Sequence, residues 1–285
     1  LAEQVMKGAP VAKALTERLV PQVEALAEKG VRPTLAIVRV GEREDDLSYE
    51  RGATKRADKV GLGLRKFVLP ADCSQEQLMH VINEVNEDSS IHGCLMFRPL
   101  PKTLDEAAAC AALDPAKDVD CITTGSLYGV FANRPLGFPP CTAEAVVELL
   151  DYYKVPLDGA KVTVVGRSLV IGKPVSMMLQ ARNATVTMCH THTRDLASAC
   201  KDADIVVAAA GHIGTVGAAC GAPQQVVVDV GINWDEKAGM LVGDVDYDAV
   251  EPVVRAITPV PGGVGSVTTA VLAKHVVEAA QRTVG

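Results

Sequence analysis

The stretch "VVGRSLVIGKPVSMML", residues 164–179, decides how the chain is read. Valines lead into Gly166, and Gly172 opens a run with helical character. Glycines between a strand and a helix permit a tight turn and let the backbone approach a phosphate, whose charge the helix N-terminus favours. The spacing is G-x5-G rather than G-x-G-x-x-G, so by itself the pattern reads equally as a plain strand-to-helix turn. Its position tips the reading. It follows the first of a series of short apolar bursts: "KVTVVG" (161–166), "ATVTMCH" (184–190), "DIVVAAAG" (204–211), "QVVVDVG" (225–231) and "RAITPV" (255–260). Val-rich bursts bounded by Gly or charged residues are strands buried on both faces of a parallel sheet. Dinucleotides bind after the first strand of such a series, so residues 140–266 are expected to form a Rossmann-type nucleotide-binding domain.

An NAD site places Asp or Glu at the end of the second strand, where it holds the ribose 2′-OH. Here that strand ends "CHTHTR" (189–194), with no carboxylate before Asp195. Arg167, Thr191, His192 and Arg194 instead offer donors suited to a 2′-phosphate. NADP is therefore expected, with NAD the alternative, since Arg167 can also be read as a solvated surface cation.

Towards the N-terminus, "TLAIVRV" (34–40), a polar helix over 45–60, "LRKFVLP" (64–70), a helix over 74–87 and "IHGCLMF" (91–97) alternate. This order predicts a parallel sheet with right-handed crossovers. The Pro- and Gly-dense "RPLGFPPCT" (134–142) marks a boundary, so the first domain is expected over 1–139. In "SVTTAVLAKHVVEAAQRTV" (266–284) apolar residues recur at 267, 270, 271, 272, 276, 277, 279 and 280. That is an amphipathic helix, and residues 267–285 are expected to pack back on the first domain. The fold class is α/β: two doubly wound domains with a cleft between them.

The 285 residues leave room for two domains. With 48% hydrophobic residues, one Trp and four Phe, the core must be built mainly from Val, Ala and Leu. A net charge of −7 without a Lys/Arg-rich run argues against nucleic acid or an anionic membrane and for a small-molecule partner. The eight cysteines are scattered singly, without C-x-x-C or close Cys/His spacing of the kind zinc sites use, which predicts no metal site, buried free thiols and a reducing, cytoplasmic setting. No apolar run reaches the roughly 20 residues of a membrane span, and "LAEQVMKGAP" (1–10) lacks the apolar region of a signal peptide.

Three further stretches are informative: "PAKDVDC" (115–121), "GCLMFRPLP" (93–101) and "TPVPGGVGSVTTAVL" (258–272). Together with "GRSLVIGKP" (166–174) and "DVGIN" (229–233), they resemble, in chain order over nearly its whole length, the methylenetetrahydrofolate dehydrogenase/cyclohydrolase family, the FolD-type enzymes of one-carbon metabolism. The resemblance implies that the first domain and the C-terminal helix hold tetrahydrofolate and the middle domain holds the nicotinamide cofactor. It also implies a homodimer joined through the middle domains.

Carried over by position, Tyr49 would flank the pterin and Asp120 would hydrogen-bond its amino-pyrimidine edge; these two are the catalytic candidates. Pro261, Gly262 and Gly263 would line the folate and nicotinamide pocket. Gly166, Arg167, Ser168 and Gly172 would take the phosphates, Thr191 would lie near the adenosine ribose, and Ile232 and Thr268 by the nicotinamide. Each has a plainer reading: Asp120 as a helix or turn cap, Pro261-Gly262-Gly263 as a rigid turn, Tyr49 as a half-buried packing residue.

The family's helix reads Tyr-x-x-x-Lys, which puts hydroxyl and ammonium on one face. Here "SYERGATKR" (48–56) has Ala53 at the lysine position. Lys55 lies about 240° round the helix from Tyr49, and Arg56 about 10.5 Å along it with a pKa above ~12, unsuited to proton shuttling. The family's Val-Gln-Leu-Pro-Leu-Pro places a glutamine against that lysine; here "MFRPLP" (96–101) has Phe97 there. Hydride transfer needs positioning, whereas hydrolysis needs a tuned acid/base. The expectation is therefore a dehydrogenase with cyclohydrolase activity weak or absent. The alternatives are a bifunctional enzyme that recruits another group, such as Lys55 through an irregular helix, and a catalytically silent folate or nucleotide sensor. Cys121, where glycine commonly follows "KDVD", the shortened "ITTGSL" (122–127), and Ser266, where proline usually follows "GGVG", bear on the folate pocket's shape.

Overall fold

The computed structural model describes residues 2–284. The chain forms two compact units, one of the segment up to Ala12 with Thr142–Thr268, the other of Lys13–Cys141 with the segment from Thr269 onward. The outermost residues of the expected spans, Leu1 and Gly285, lie outside the described residues.

The chain opens with β1 (Gln4–Val5) and α1 (Gly8–Glu28), continues through β2 (Thr34–Val40), α2 (Glu44–Val60), β3 (Gly63–Leu69), α3 (Gln75–Glu87) and β4 (Gly93–Met96), and ends its first half with α4 (Glu106–Ala112) and α5 (Thr124–Ala132). Strands β3, β2 and β4 form a parallel sheet in that order, with β2 central. Strand β4 is apolar, β2 is apolar apart from Thr34 and the ion-paired Arg39, and both are buried on both faces, as a sheet covered by helices requires. Three acidic residues, Glu44, Asp45 and Asp46, open α2 at the positive end of its dipole, and Gly61 in the left-handed region (φ 89°) closes it. A capping box between Ser74 and Gln77 starts α3.

The second half runs α6 (Cys141–Tyr152), β5 (Lys161–Val165), α7 (Gly172–Gln180), β6 (Thr185–Cys189), α8 (Leu196–Lys201), β7 (Ile205–Ala208), β8 (Val226–Asp229), the hairpin β9 (Asn233–Asp235) and β10 (Met240–Val242), α9 (Tyr247–Val250), β11 (Ala256–Ile257) and α10 (Thr268–Arg282). Its sheet is six-stranded and parallel, in the order β1-β11-β8-β7-β5-β6. Val162, Val164, Val206, Val207, Val227 and Val228 are at most 1% exposed, so the valine bursts do build this core.

The first-domain expectation over 1–139 differs at its start. Gln4 and Val5 pair with Ala256 and Ile257, and Gly8 N donates to Gly262 O (2.8 Å), which ties the N-terminal segment to the six-stranded sheet. Extended residues with unpaired backbone groups find partners on a sheet edge. The C-terminal helix from Thr269 onward belongs to the three-stranded unit, where Gln281 donates to Gln22 (2.9 Å) and Arg282 to Gly137 O (2.9 Å).

Candidate functional site

In the six-stranded unit, chain order reverses beside β5: β6 lies on one side and β7 on the other. A crevice at the carboxyl ends of β5 and β7 is where parallel sheets bind ligands. Gly166 leaves β5 there at φ 132°, and a Cβ on it would overlap the Ala209 carbonyl. A Cβ on Gly172 would likewise overlap the Gly166 carbonyl. Only glycine at both positions lets strand, loop and α7 close on one another. Ser168 works inward: its Oγ accepts from Ile171 N (3.1 Å) and Gly172 N (3.5 Å), and its carbonyl from Lys173 N (3.0 Å). It orders the entry to α7. Arg167 is exposed beside it.

After β6 the turn is knitted by His190 N donating to Thr193 Oγ1 (2.8 Å) and His192 N donating to His190 Nδ1 (3.2 Å). Thr191 and His192 are exposed on it. Asp195, the first carboxylate beyond β6, caps α8 by accepting from Ser198 N (3.0 Å) and Ser198 Oγ (2.7 Å). Those bonds hold its carboxyl below the usual range and commit it to the helix. A nicotinamide dinucleotide fits this donor set: a glycine-lined turn, a nine-residue helix beginning at it, and a cation with hydroxyls rather than a carboxylate around the second strand's end.

In the same unit a cavity of about 220 Å³ is lined by Asp229–Ile232, Leu241 and Pro259–Ser266. Pro261, Gly262, Gly263 and Ile232 thus share one pocket, and Ile232 is 61% exposed. The Pro-Gly-Gly segment is also a turn, with Gly262 at φ 97°. Thr268 does not line the cavity; it is buried and donates from Oγ1 to Gly265 O (3.2 Å), starting α10.

In the three-stranded unit, Tyr49 is half-buried on α2 and presents its ring to Phe97, centroids 6.0 Å apart at 79°. Phe97 follows β4, with its N–H bonded to Val38 O (3.0 Å), so the pair sits where β2 and β4 end. Helix α2 is unbroken over Glu44–Val60 and Ala53 is 2% exposed. Lys55 is exposed, so the alternative that reaches it through an irregular helix has no such irregularity to use. Arg56 is bound elsewhere, donating to Thr16 Oγ1 (2.7 Å) and Thr269 Oγ1 (3.4 Å).

Asp120 is half-buried, and its Oδ1 accepts from Cys141 N (3.0 Å), the first residue of α6. The plainer reading, a cap, therefore accounts for one oxygen. Withdrawal from water pushes this carboxyl above the usual range, against the pull of that N–H. Its neighbour Asp118 is fully buried and accepts from Ile122 N (3.0 Å), Thr123 N (2.8 Å) and Ser126 Oγ (2.6 Å), which folds the segment around Asp120. His275 of α10 bonds through Nδ1 to Val119 O (2.8 Å). The sequence reading passed over Asp118, although its place in "KDVD" was the available signal. It also passed over Glu50, buried beside Tyr49 and bridged to Arg39 (2.7 Å) and Lys66 (2.9 Å). Among the described residues no group of three or more His, Cys, Asp or Glu is placed to hold a metal ion, and no helix is long and apolar enough to cross a membrane.

Residues 6–120 match the family "Tetrahydrofolate dehydrogenase/cyclohydrolase, catalytic domain", and residues 140–284 match "Tetrahydrofolate dehydrogenase/cyclohydrolase, NAD(P)-binding domain". A protein named "Bifunctional protein FolD" from Carboxydothermus hydrogenoformans is 50% identical over 277 residues, covering 97% of this chain and 96% of that one. The NADP- and inhibitor-bound methylenetetrahydrofolate dehydrogenase-cyclohydrolase of Trypanosoma brucei superposes with a TM-score of 0.91 at 36% identity, covering 100% and 99% of the two chains. A 5,10-methylenetetrahydrofolate dehydrogenase from Bombyx mori superposes with a TM-score of 0.93 at 33% identity, over 100% and 99%.

Proposed function

Since the chain belongs to the tetrahydrofolate dehydrogenase/cyclohydrolase family, we propose that it oxidises 5,10-methylenetetrahydrofolate to 5,10-methenyltetrahydrofolate by hydride transfer to NADP⁺, with hydrolysis of the methenyl product weak or absent. The observation that carries the oxidation is the loop at the sheet's reversal point, which Gly166 and Gly172 let close tightly against the start of α7, the place where a pyrophosphate binds a helix N-terminus. The nicotinamide, when bound, supplies the hydride acceptor. The chain's part is positioning: Arg167 and Thr191 with His192 favour a 2′-phosphate, Ile232 and Pro261–Gly263 confine the ring end, and Tyr49 and Asp120 orient the pterin.

Weak hydrolysis rests on Ala53 and Phe97. A buried methyl and a ring stand where an ammonium and an amide would move protons. The bifunctional reading is favoured by the name of the relative at 50% identity. Purified protein given methylenetetrahydrofolate with NADP⁺ and NAD⁺ in parallel, then methenyltetrahydrofolate alone, separates them. Enzyme-dependent hydrolysis as fast as oxidation would establish the bifunctional reading, and reduction of neither dinucleotide would favour a sensor. A homodimer and a cytoplasmic setting, the latter in keeping with eight buried free cysteines, belong to the same proposal; sedimentation and fractionation test them.

A further inference from the structure

Two buried carboxylates that the proposed reaction does not use hold the wall of the 220 Å³ cavity, Asp229 as part of its lining and Asp244 behind it. Asp229, 3% exposed, ends β8; Asp244, fully buried, follows β10. Oδ1 of Asp229 accepts from Gly231 N and Asp244 N (3.0 Å each), and Oδ2 from Val245 N (3.0 Å). Oδ2 of Asp244 accepts from Ala210 N (2.6 Å) and Gly211 N (2.8 Å), and Oδ1 from the Asn233 side-chain amide (2.9 Å). The pair therefore binds three stretches to one another: the loop after β7, the turn that carries Ile232, and the return from the hairpin.

The packing leaves no slack. A Cβ on Gly231 would overlap the Asp244 carboxylate, and a Cβ on Gly243 would overlap that of Asp229. Burial pushes Asp229 up to about 6, against three backbone N–H bonds and with the nearby Asp244 charge adding to the rise. Holding two acidic groups in so dry a place is unfavourable. A carboxylate nevertheless suits it, because it accepts at both oxygens, whereas an amide of the same shape would turn an NH₂ towards N–H donors.

We propose that Asp229 and Asp244 are positioning residues for hydride transfer, fixing Ile232 and the Ala210–Gly211 loop so that the nicotinamide ring is held at the angle the reaction needs. This rests on the reading of the cavity as the nicotinamide end of the cofactor site. The role assigned to each is to act through the loops it ties, not on the reacting atoms.

Asp244→Asn, and the milder Asn233→Ala, which leaves both carboxylates in place, test it. Calorimetry would compare NADP⁺ with 2′-phospho-ADP-ribose, which lacks the nicotinamide ring. The expected result is a loss of about ten-fold for NADP⁺ with 2′-phospho-ADP-ribose held within about two-fold. In turnover, kcat should fall about ten- to a hundred-fold while the isotope effect from deuterated methylene rises, Asn233→Ala moving the same way by less. Equal losses for both ligands, or no loss for either, would overturn the proposal, and Asn233→Ala decides should Asp244→Asn not fold. Wild-type protein that binds neither ligand would instead overturn the cofactor reading beneath it.

Discussion

The ring of Tyr49 meets that of Phe97 edge-on, centroids 6.0 Å apart, at the carboxyl end of the three-stranded sheet. One turn further along α2, Ala53 is buried. Tyr49 therefore has an aromatic ring against it and a methyl at i+4, where the family places an amide and an ammonium. Replacing Ala53→Lys together with Phe97→Gln should raise methenyltetrahydrofolate hydrolysis by more than the two single changes combined. The lysine enters a packed site, so thermal stability should fall by roughly 1–3 kcal/mol. Steady-state hydrolysis of the four proteins checks the first, and melting curves the second.

Gly172→Ala puts a methyl group into the Gly166 carbonyl. The loop must move, and the pyrophosphate cradle with it. Dinucleotide affinity should drop about ten-fold or more while tetrahydrofolate affinity stays near the wild-type value, as titrations of each ligand would report. A variant that keeps full NADP⁺ affinity would remove the loop from the cofactor site.

Arg167 is exposed at that loop, and the nearest carboxylate beyond β6, Asp195, is committed to its helix. Arg167→Ala should weaken NADP⁺ by about ten-fold, the worth of a charge-assisted hydrogen bond, and change NAD⁺ little. Parallel kcat/KM measurements with the two dinucleotides give the ratio directly.

Stability should respond to pH with opposite signs at two buried carboxyls. Burial would raise Glu50, but hydrogen bonds and charge from Lys66 and Arg39 outweigh it and bring it below its ordinary value of 4.5. Its contribution is present above that value and is lost as pH falls through the folded one. Asp229, raised by burial from 3.8 to about 6, behaves the other way: its contribution declines as pH climbs between those values. Asp229→Asn should flatten that decline in urea melts, and Glu50→Ala, which strands Arg39, should cost about 3–5 kcal/mol near neutral pH.

The parallel strands were legible because burial on both faces leaves a continuous run of Val and Ile, as in "DIVVAAAG" and "QVVVDVG". The glycine loop was legible for a similar reason, since only glycine tolerates those approaches. The two-residue β1 and the short β9 and β10 were not, because strands of that length carry no periodicity. Asp118, Asp229 and Asp244 were missed as a group. Asp118 ties its own segment, Ile122 to Ser126, while Asp229 and Asp244 satisfy backbone N–H groups of loops distant in sequence, and a single carboxylate in a sequence does not announce which N–H groups will meet it. The hydrogen bond of Thr268 Oγ1 to Gly265 O, at the start of α10, carries no signal in the sequence. Lys55 and Ala53 show the reverse case, where 100° per residue on a regular helix was enough to separate an exposed side chain from a buried one.

Dehydrogenase activity without hydrolysis is read out by supplying the protein with 5,10-methylenetetrahydrofolate and NADP⁺ and following NADPH and the methenyl product together. Both should rise in equal amounts, and the methenyl compound should then decay no faster than it does without protein. No NADPH would contradict the dehydrogenase, and protein-dependent decay as fast as NADPH formation would contradict the loss of hydrolysis.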